Sequence, residues 1–405
     1  MSNTIKPLLI VLAVAAAVSV VSIYSSTHAD YGAAFALRQM AWIGLGVAAM
    51  VILSRIRLKT VSALAYIIYG GAVLMLVLVL LVGTGPHGTR RWFDFAFLRF
   101  QPSEFAKVAA ILALARYLSE TRTMGDSLER VIKAVGIAAL PAVLVLYEPD
   151  LGSAVLIGFL AFPMLFASGM SPLFLLFILS PIFAFVLTSG VVIPNRILGW
   201  GVFIVYLAGM NYFGRFRTLT AVLLVAVSLV VGASAHHLWM GLEPYQRQRV
   251  EALFRQEELR HGAAFHAIQS RIAIGSGRVL GKGVFGGTQK ALGLVPAQHT
   301  DFIFSVIAEE AGFVGSLFVL VLLLYVCLKV FGVANMVRNR FFYYVCFGVG
   351  SVILIQLFIN VGMNLGITPV TGLPLPFISY GGSSTVMLWS SIGLVLSAYG
   401  SRREY

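Results

Sequence analysis

Glu104 and Lys107 follow Gln101-Pro102-Ser103 three residues apart, so a helix starting at the proline carries a carboxylate and an ammonium on one face. Such a pair at the start of a membrane span either anchors it at the interface, with Arg91 among headgroups and Trp92 in the aromatic belt, or presents charge to a ligand. Ser103 is the expected N-cap of that helix. Two more carboxylates stand in Tyr147-Glu148-Pro149-Asp150-Leu151-Gly152-Ser153, where the local pattern makes Asp150 the cap of the helix that follows. Glu309 and Glu310 lie within an apolar run that begins after His299-Thr300-Asp301. Adjacent helical residues point about 100° apart, so one glutamate at most faces a shared partner or wet cavity and the other needs its own. Carboxylates inside a membrane are site candidates by default.

The other candidates are cationic. Segment 239–301 holds Arg247, Arg249, Arg255, Arg260, Arg271, Arg278, Lys282 and Lys290 against Glu243, Glu251, Glu257, Glu258 and, at its end, Asp301. An anion is the natural partner for that excess. Gly381-Gly382-Ser383-Ser384 offers backbone N–H groups at a helix start to the same kind of ligand.

The elements that hold these residues follow from composition. Of 405 residues, 59% are hydrophobic and 11% charged, with mean hydropathy +0.92, whereas about a quarter of a soluble domain is charged. A soluble globular protein is excluded. The apolar runs predict spans near 7–25, 34–53, 60–83, 103–119, 132–147, 152–169, 172–193, 198–211, 217–238, 302–330, 341–362 and 382–399. The first reads as a retained helix, not a cleaved signal. Cys327 and Cys346 lie in apolar runs, which leaves no disulfide framework or thiolate metal site.

With the N-terminus inside, Arg55, Arg57, Lys59, Arg122, Arg130, Lys133, Arg215, Arg217, Arg338, Arg340, Arg402 and Arg403 all fall on the cytoplasmic side. Segments 84–102, 148–151, 239–301 and 363–381 then lie outside. The last has three prolines among glycines, which forbids a regular helix, so it is expected to cap a site while packed in protein. A transporter would also suit about twelve helices with intramembrane glutamates and a proline-broken segment. Against it, no inverted repeat is visible and the motifs gather on one side.

Seven separated motifs resemble the SEDS family, its RodA-like elongation branch ahead of the FtsW-like one. They are Arg91-Trp92, Gln101-Pro102-Ser103-Glu104-Phe105 with Lys107, Glu148-Pro149-Asp150-Leu151-Gly152, Tyr245-Gln246-Arg247-Gln248-Arg249, Ile268-Gln269-Ser270 to Gly277, His299-Thr300-Asp301-Phe302-Ile303-Phe304 with Glu309-Glu310, and Pro374-Leu375-Pro376 to Ser384. The wording of Gly287-Thr288-Gln289 and Pro296-Ala297-Gln298-His299 carries the RodA-like lean.

The resemblance implies one all-α polytopic membrane domain over 1–405, with about 10–12 transmembrane helices and a long extracytoplasmic loop at 239–301; the family has ten spans, and the two extra helices read from the apolar runs in 172–238 depart from it. It implies a peptidoglycan glycosyltransferase that polymerises lipid II at the outer face of the bacterial cytoplasmic membrane. Its partners would be a class B penicillin-binding transpeptidase and the elongation machinery, with no nucleic acid. Arg91, Trp92, Glu104, Lys107, Asp150, Arg247, Arg249, Gln269, Ser270, His299, Asp301, Ser379 and Tyr380 are the expected substrate-binding residues. A divalent cation, magnesium or manganese, is the one cofactor left open, although no compact carboxylate cluster is visible to hold it.

The chain departs from the family in a second respect. Relatives carry an aspartate three residues before the glycine that corresponds to Gly262; here that place is Leu259. A one-residue slide brings Glu258 there, so Glu258 is the expected catalytic base, with Glu257 next. The alternatives are a noncatalytic scaffold that activates a partner synthase and a flippase for the lipid-linked precursor.

Overall fold

The computed structural model describes residues 5–85, 89–95, 98–121, 126–214, 216–254, 265–287 and 298–403. Glu257, Glu258, Leu259 and Gly262 fall outside these residues. The chain divides into two compact units, one built from 1–122, 133–164 and 266–405 and the other from 123–132 and 165–265.

The first unit opens with three long apolar helices, α1 (Ile5–Tyr31), α2 (Ala34–Arg55) and α3 (Leu58–Val82). A hairpin of β1 (Phe93–Phe95) and β2 (Leu98–Phe100) pairs Phe93 with Phe100 and Asp94 with Arg99. It leads into α4 (Pro102–Glu120), whose first helical residue is the proline and whose N-cap is Gln101. Ser103 therefore sits inside the first turn and is not the cap expected from sequence, because Pro102, which lacks an N–H, takes the position where that donor is spare. Most of α4 is buried, and alanines at 106, 109, 110, 113 and 115 let α3 and later helices approach it closely.

Next come α5 (Leu128–Tyr147), which enters this unit at Lys133, and α6 (Leu151–Phe159) with α7 (Ala161–Ala167). The span expected at 152–169 is helical from Leu151 to Ala167, and Leu160 between α6 and α7 keeps helical dihedrals (φ −57°, ψ −31°) and donates to the Leu156 carbonyl at 3.1 Å. Pro163 costs this helix one hydrogen bond, since it has no N–H for the Phe159 carbonyl. The unit ends with α13 (Phe265–Ser276), α14 (Ile303–Met336), α15 (Arg340–Asn364) and α16 (Gly382–Gly400). Helix α16 lies so close to α2 that a methyl group on Gly393 would stand 2.7 Å from the Met50 carbonyl oxygen.

Helix α14 is not the continuous span expected. Gly312 has φ 66° and ψ −163°, a region open essentially to glycine alone. The break removes the bonds Phe313 N–H and Val314 N–H would make to Glu309 and Glu310. Loop 277–283 replaces them: Phe313 and Val314 donate to Arg278 and Val279 (2.9 and 3.2 Å), while Lys282 and Gly283 donate to Glu309 and Glu310 (3.0 Å each). Every polar group freed by the break is satisfied by protein, as membrane depth demands.

In the second unit α8 (Pro172–Ile178) and α9 (Ser180–Thr188) run on from one another through Leu179, which donates to the Leu175 carbonyl and accepts from Phe183 N–H, with Pro181 removing one helix donor. They pack with α10 (Arg196–Gly214) and α11 (Thr218–Met240) around Phe177, Ala184, Phe203, Leu207 and Leu224. Ser180 and Ser228 share a hydrogen bond of 2.7 Å, and Thr188 donates to the Gly232 carbonyl at 2.9 Å. Helix α12 (Pro244–Phe254) follows, so 239–301 is not one extended loop: it holds this helix and α13.

Among the described residues eight helices are long and apolar enough to cross a membrane: α1, α2, α3, α5, α10, α11, α14 and α15. Segments 102–120, 151–167, 172–188 and 382–400 are helical where the remaining spans were expected. The fold is an all-α polytopic membrane protein.

Candidate functional site

Helices α4, α15 and α16 line a small, partly open cavity of about 10 Å³, room for about one water molecule. Its walls are mostly apolar, with Val108, Ile111, Val352 and Leu388, and its polar groups are Glu104, Lys107, Gln356 and Ser391. Lys107 donates to Glu104 at 2.6 Å, and both side chains are almost wholly buried. The sequence spacing put these groups on one face, and the fold turns that face inward. The interface-anchor reading is corrected for this pair: headgroup anchors are wet, whereas these two are shut inside protein.

The cavity leads to the cap. Gln356 donates to the Pro374 carbonyl at 2.9 Å, and Asn360, one turn further along α15, donates to Leu373 at 2.7 Å and Asp301 at 2.9 Å. Asn364 donates to Asp301 as well, and its carbonyl accepts from Ser270 on α13. From the other side Gln39 of α2 donates to the Ser379 carbonyl and Thr385 and takes the Gly381 N–H. Ser379 donates to Thr300 at 2.6 Å and accepts from Leu375 N–H. Segment 365–381 is thus irregular yet packed in protein, as its prolines required.

Four expected site residues cluster on this cap: His299, Asp301, Tyr380 and Ser379. Tyr380 N–H donates to the His299 carbonyl at 2.9 Å, and Phe35 of α2 packs against both rings, edge-on to Tyr380 and tilted to His299. Burial lowers the His299 pKa, favouring the neutral imidazole. Asp301 lies beside Gly372, where an added methyl group would stand 3.5 Å from its carboxylate. Gln269 is half-buried on α13, next to the buried Ser270.

A second cluster forms at the turn after α5. Asp150 caps α6, accepting from Ser153 N–H at 3.0 Å as its position predicted, and also takes the Gln101 side-chain amide at 3.2 Å. Arg91 reaches this turn too, donating to the Glu148 carbonyl at 2.7 Å and to the Pro149 carbonyl. Trp92 pairs through its backbone with Thr84. Beside them the Glu148 carboxyl is fully buried, and its pKa is pushed up to about 8 by that burial first and by the Asp150 charge second, with Arg91 opposing. Gly152 touches the cap so closely that a methyl group there would stand 2.6 Å from the Thr371 carbonyl.

Arg247 and Arg249 lie on α12, in the other unit, where Arg247 contacts the Met240 sulfur at 3.6 Å. Glu309 pairs with Lys282 at 2.7 Å and Glu310 accepts from Ser25 at 2.6 Å, so the two pin the α14 break from different sides. Each glutamate has its own partner, as their divergence along the helix demanded. Among the described residues no group of three or more His, Cys, Asp or Glu could hold a metal ion. Glu104 pairs with Lys107, and Asp150 caps α6.

Gln39, Gln356, Asn360 and Asn364 were missed from sequence. The last three recur every four residues in an apolar helix, a polar stripe that marks a face directed at protein.

The sequence matches the family model described as FTSW_RODA_SPOVE, cell cycle protein, over residues 2–198 and 195–404. It is 33% identical to the peptidoglycan glycosyltransferase MrdB of Escherichia coli (strain K12), covering 98% of this chain and 93% of that protein. A chain solved in work on the structural coordination of polymerization and crosslinking by a peptidoglycan synthase complex superposes with a TM-score of 0.72, at 30% identity, over 99% of this chain and 98% of that one. The Rod shape determining protein RodA of Thermus thermophilus gives a TM-score of 0.63, at 26% identity, over 98% of this chain and 97% of that one.

Proposed function

Because the chain belongs to the FtsW/RodA/SpoVE family of cell cycle proteins, we propose that it is a peptidoglycan glycosyltransferase that polymerises lipid II. It works at the outer face of the bacterial cytoplasmic membrane beside a class B penicillin-binding transpeptidase of the elongation machinery. The observation that carries this reading is the buried Glu104–Lys107 pair in a mostly apolar cavity beneath an ordered cap. Lipid II brings a pyrophosphate and a polyprenyl tail, and the pair sets charge beside an apolar wall that α4, α15 and α16 must part to open to a ligand. An ammonium has three donors, so Lys107 binds a phosphate oxygen without leaving Glu104.

Inversion at the sugar requires the acceptor hydroxyl to attack opposite the departing pyrophosphate. A carboxylate takes the hydroxyl proton, and fixed cations stabilise charge growing on the leaving oxygens. Glu258 is proposed as that base, and Arg247 and Arg249 as pyrophosphate ligands. Replacing either arginine by glutamine is expected to weaken lipid II use while leaving folding and partner association intact. Unchanged apparent affinity in both variants would return them to an interfacial role. The transport reading loses its main support, since Glu309 and Glu310 are spent on Lys282 and Ser25.

Sidedness has its own test. Single cysteines at Gln256 and at Ile367, which is 65% exposed on the cap, are expected to react with an impermeant thiol reagent in intact spheroplasts. Reaction only after permeabilisation would place both inside and remove outer-leaflet lipid II as substrate.

A further inference from the structure

Glu148 is a buried acid for which the chemistry above has no use. Its side chain is wholly shielded from solvent, and neither carboxyl oxygen has a hydrogen-bond partner. An ionised carboxylate left in that state is far more costly than a neutral acid. The guanidinium nearby does not relieve it, because Arg91 donates to the carbonyls of Glu148 and Pro149. Asp150 is equally committed, to Ser153 N–H and to Gln101. Asp150, on the same turn, and Arg91, on the chain entering the hairpin, are the charged groups that act on Glu148. Helix α4 and the cap bring the neutral Gln101, Thr371 and Leu373 to this turn.

The turn is a junction. Arg91 ties the hairpin to it, Gln101 ties on the start of α4 three residues before Glu104, and Gly152 packs under the cap. Ser383 of α16 joins the same corner, taking the Gln101 N–H and donating to the Arg99 carbonyl. We infer that Glu148 is a positioning residue that acts as a neutral, proton-holding acid: protonated, it leaves Arg91 on the turn carbonyls and keeps hairpin, α4 and cap in register. Ionised, it competes for the Arg91 guanidinium, since a charge-assisted bond outweighs bonds to neutral carbonyls, and the junction loosens.

The sign follows from the elevated pKa. The folded state holds the proton up to about pH 8, against an ordinary value of 4.5. The group's contribution to stability is therefore complete below 4.5 and lost as pH rises through about 8. The consequence for turnover rests on the polymerase function proposed above; the proton itself does not.

Two readouts separate them. Wild-type chain with its transpeptidase and lipid II is expected to turn over about tenfold more slowly one pH unit above the Glu148 pKa than well below it, whereas Glu148→Gln stays level across that window and matches wild type at neutral pH. Infrared difference spectra of the purified chain, labelled with carbon-13 glutamate, are expected to show a protonated-carboxyl band that vanishes over the same window. Glu148→Gln abolishes that band, and Glu148→Met serves if the first variant does not accumulate. No such band in the wild type near neutral pH, or a band that survives replacement of Glu148, would overturn the inference whether or not polymer forms. An alkaline loss shared by wild type and Glu148→Gln would remove its role in turnover.

Discussion

Glu258→Gln is expected to slow lipid II polymerisation by roughly 10²–10⁴-fold, the usual worth of a general base. Glutamine keeps the shape and the hydrogen-bonding amide but cannot take the acceptor proton, so binding of lipid II and of the partner should persist. Glu257→Gln should cost far less. Equal large losses would mean that the two act as a pair, and wild-type turnover in both would move the base elsewhere, with Asp301 and Glu309 the next carboxylates to replace. This position is the sharpest place to test the chain, because Leu259 stands where the family resemblance implies an aspartate.

Lys107→Met is the second large effect, and it acts first on stability. The substitution leaves Glu104 buried beside an apolar side chain, and stripping one partner from a buried pair costs about 3–5 kcal/mol. Thermal unfolding in detergent should show that loss. Adding Glu104→Gln should restore most of it, since a neutral pair of similar volume avoids the desolvation of both ions. Turnover should stay low in the double variant because the cation is still missing. A single Lys107→Met variant with wild-type stability would contradict the burial described for the pair, and full turnover in the double variant would remove Lys107 from substrate binding.

The elements were largely legible in the sequence because a bilayer leaves few options: apolar runs of sufficient length must become helices. Even the doubtful run near 198–211 is a helix, Arg196–Gly214. The helix donors missing beside Leu160 and Leu179 were legible in principle from Pro163 and Pro181. The break at Gly312 was not, because a lone glycine in an apolar helix usually continues it, and only loop 277–283 makes the break affordable. The hairpin escaped notice for want of length, each strand having three residues.

The site was legible one residue at a time. Asp150 as a cap and Glu104 with Lys107 as a pair follow from local spacing, which a helix enforces. Which face turns inward does not, and so the pair was weighed as a wet interface anchor. Gln39 and Asn360 gain meaning only from partners hundreds or dozens of residues away. Glu148 looked like the lesser half of an acidic turn, and its isolation from any donor is a property of packing.

The most direct test places the purified chain and its cognate transpeptidase in proteoliposomes with labelled lipid II and follows two products at once. Labelled glycan strands, formed while the transpeptidase's own active site is blocked, are the result expected of a polymerase. Movement of labelled lipid II between leaflets with no glycan strand formed would contradict it.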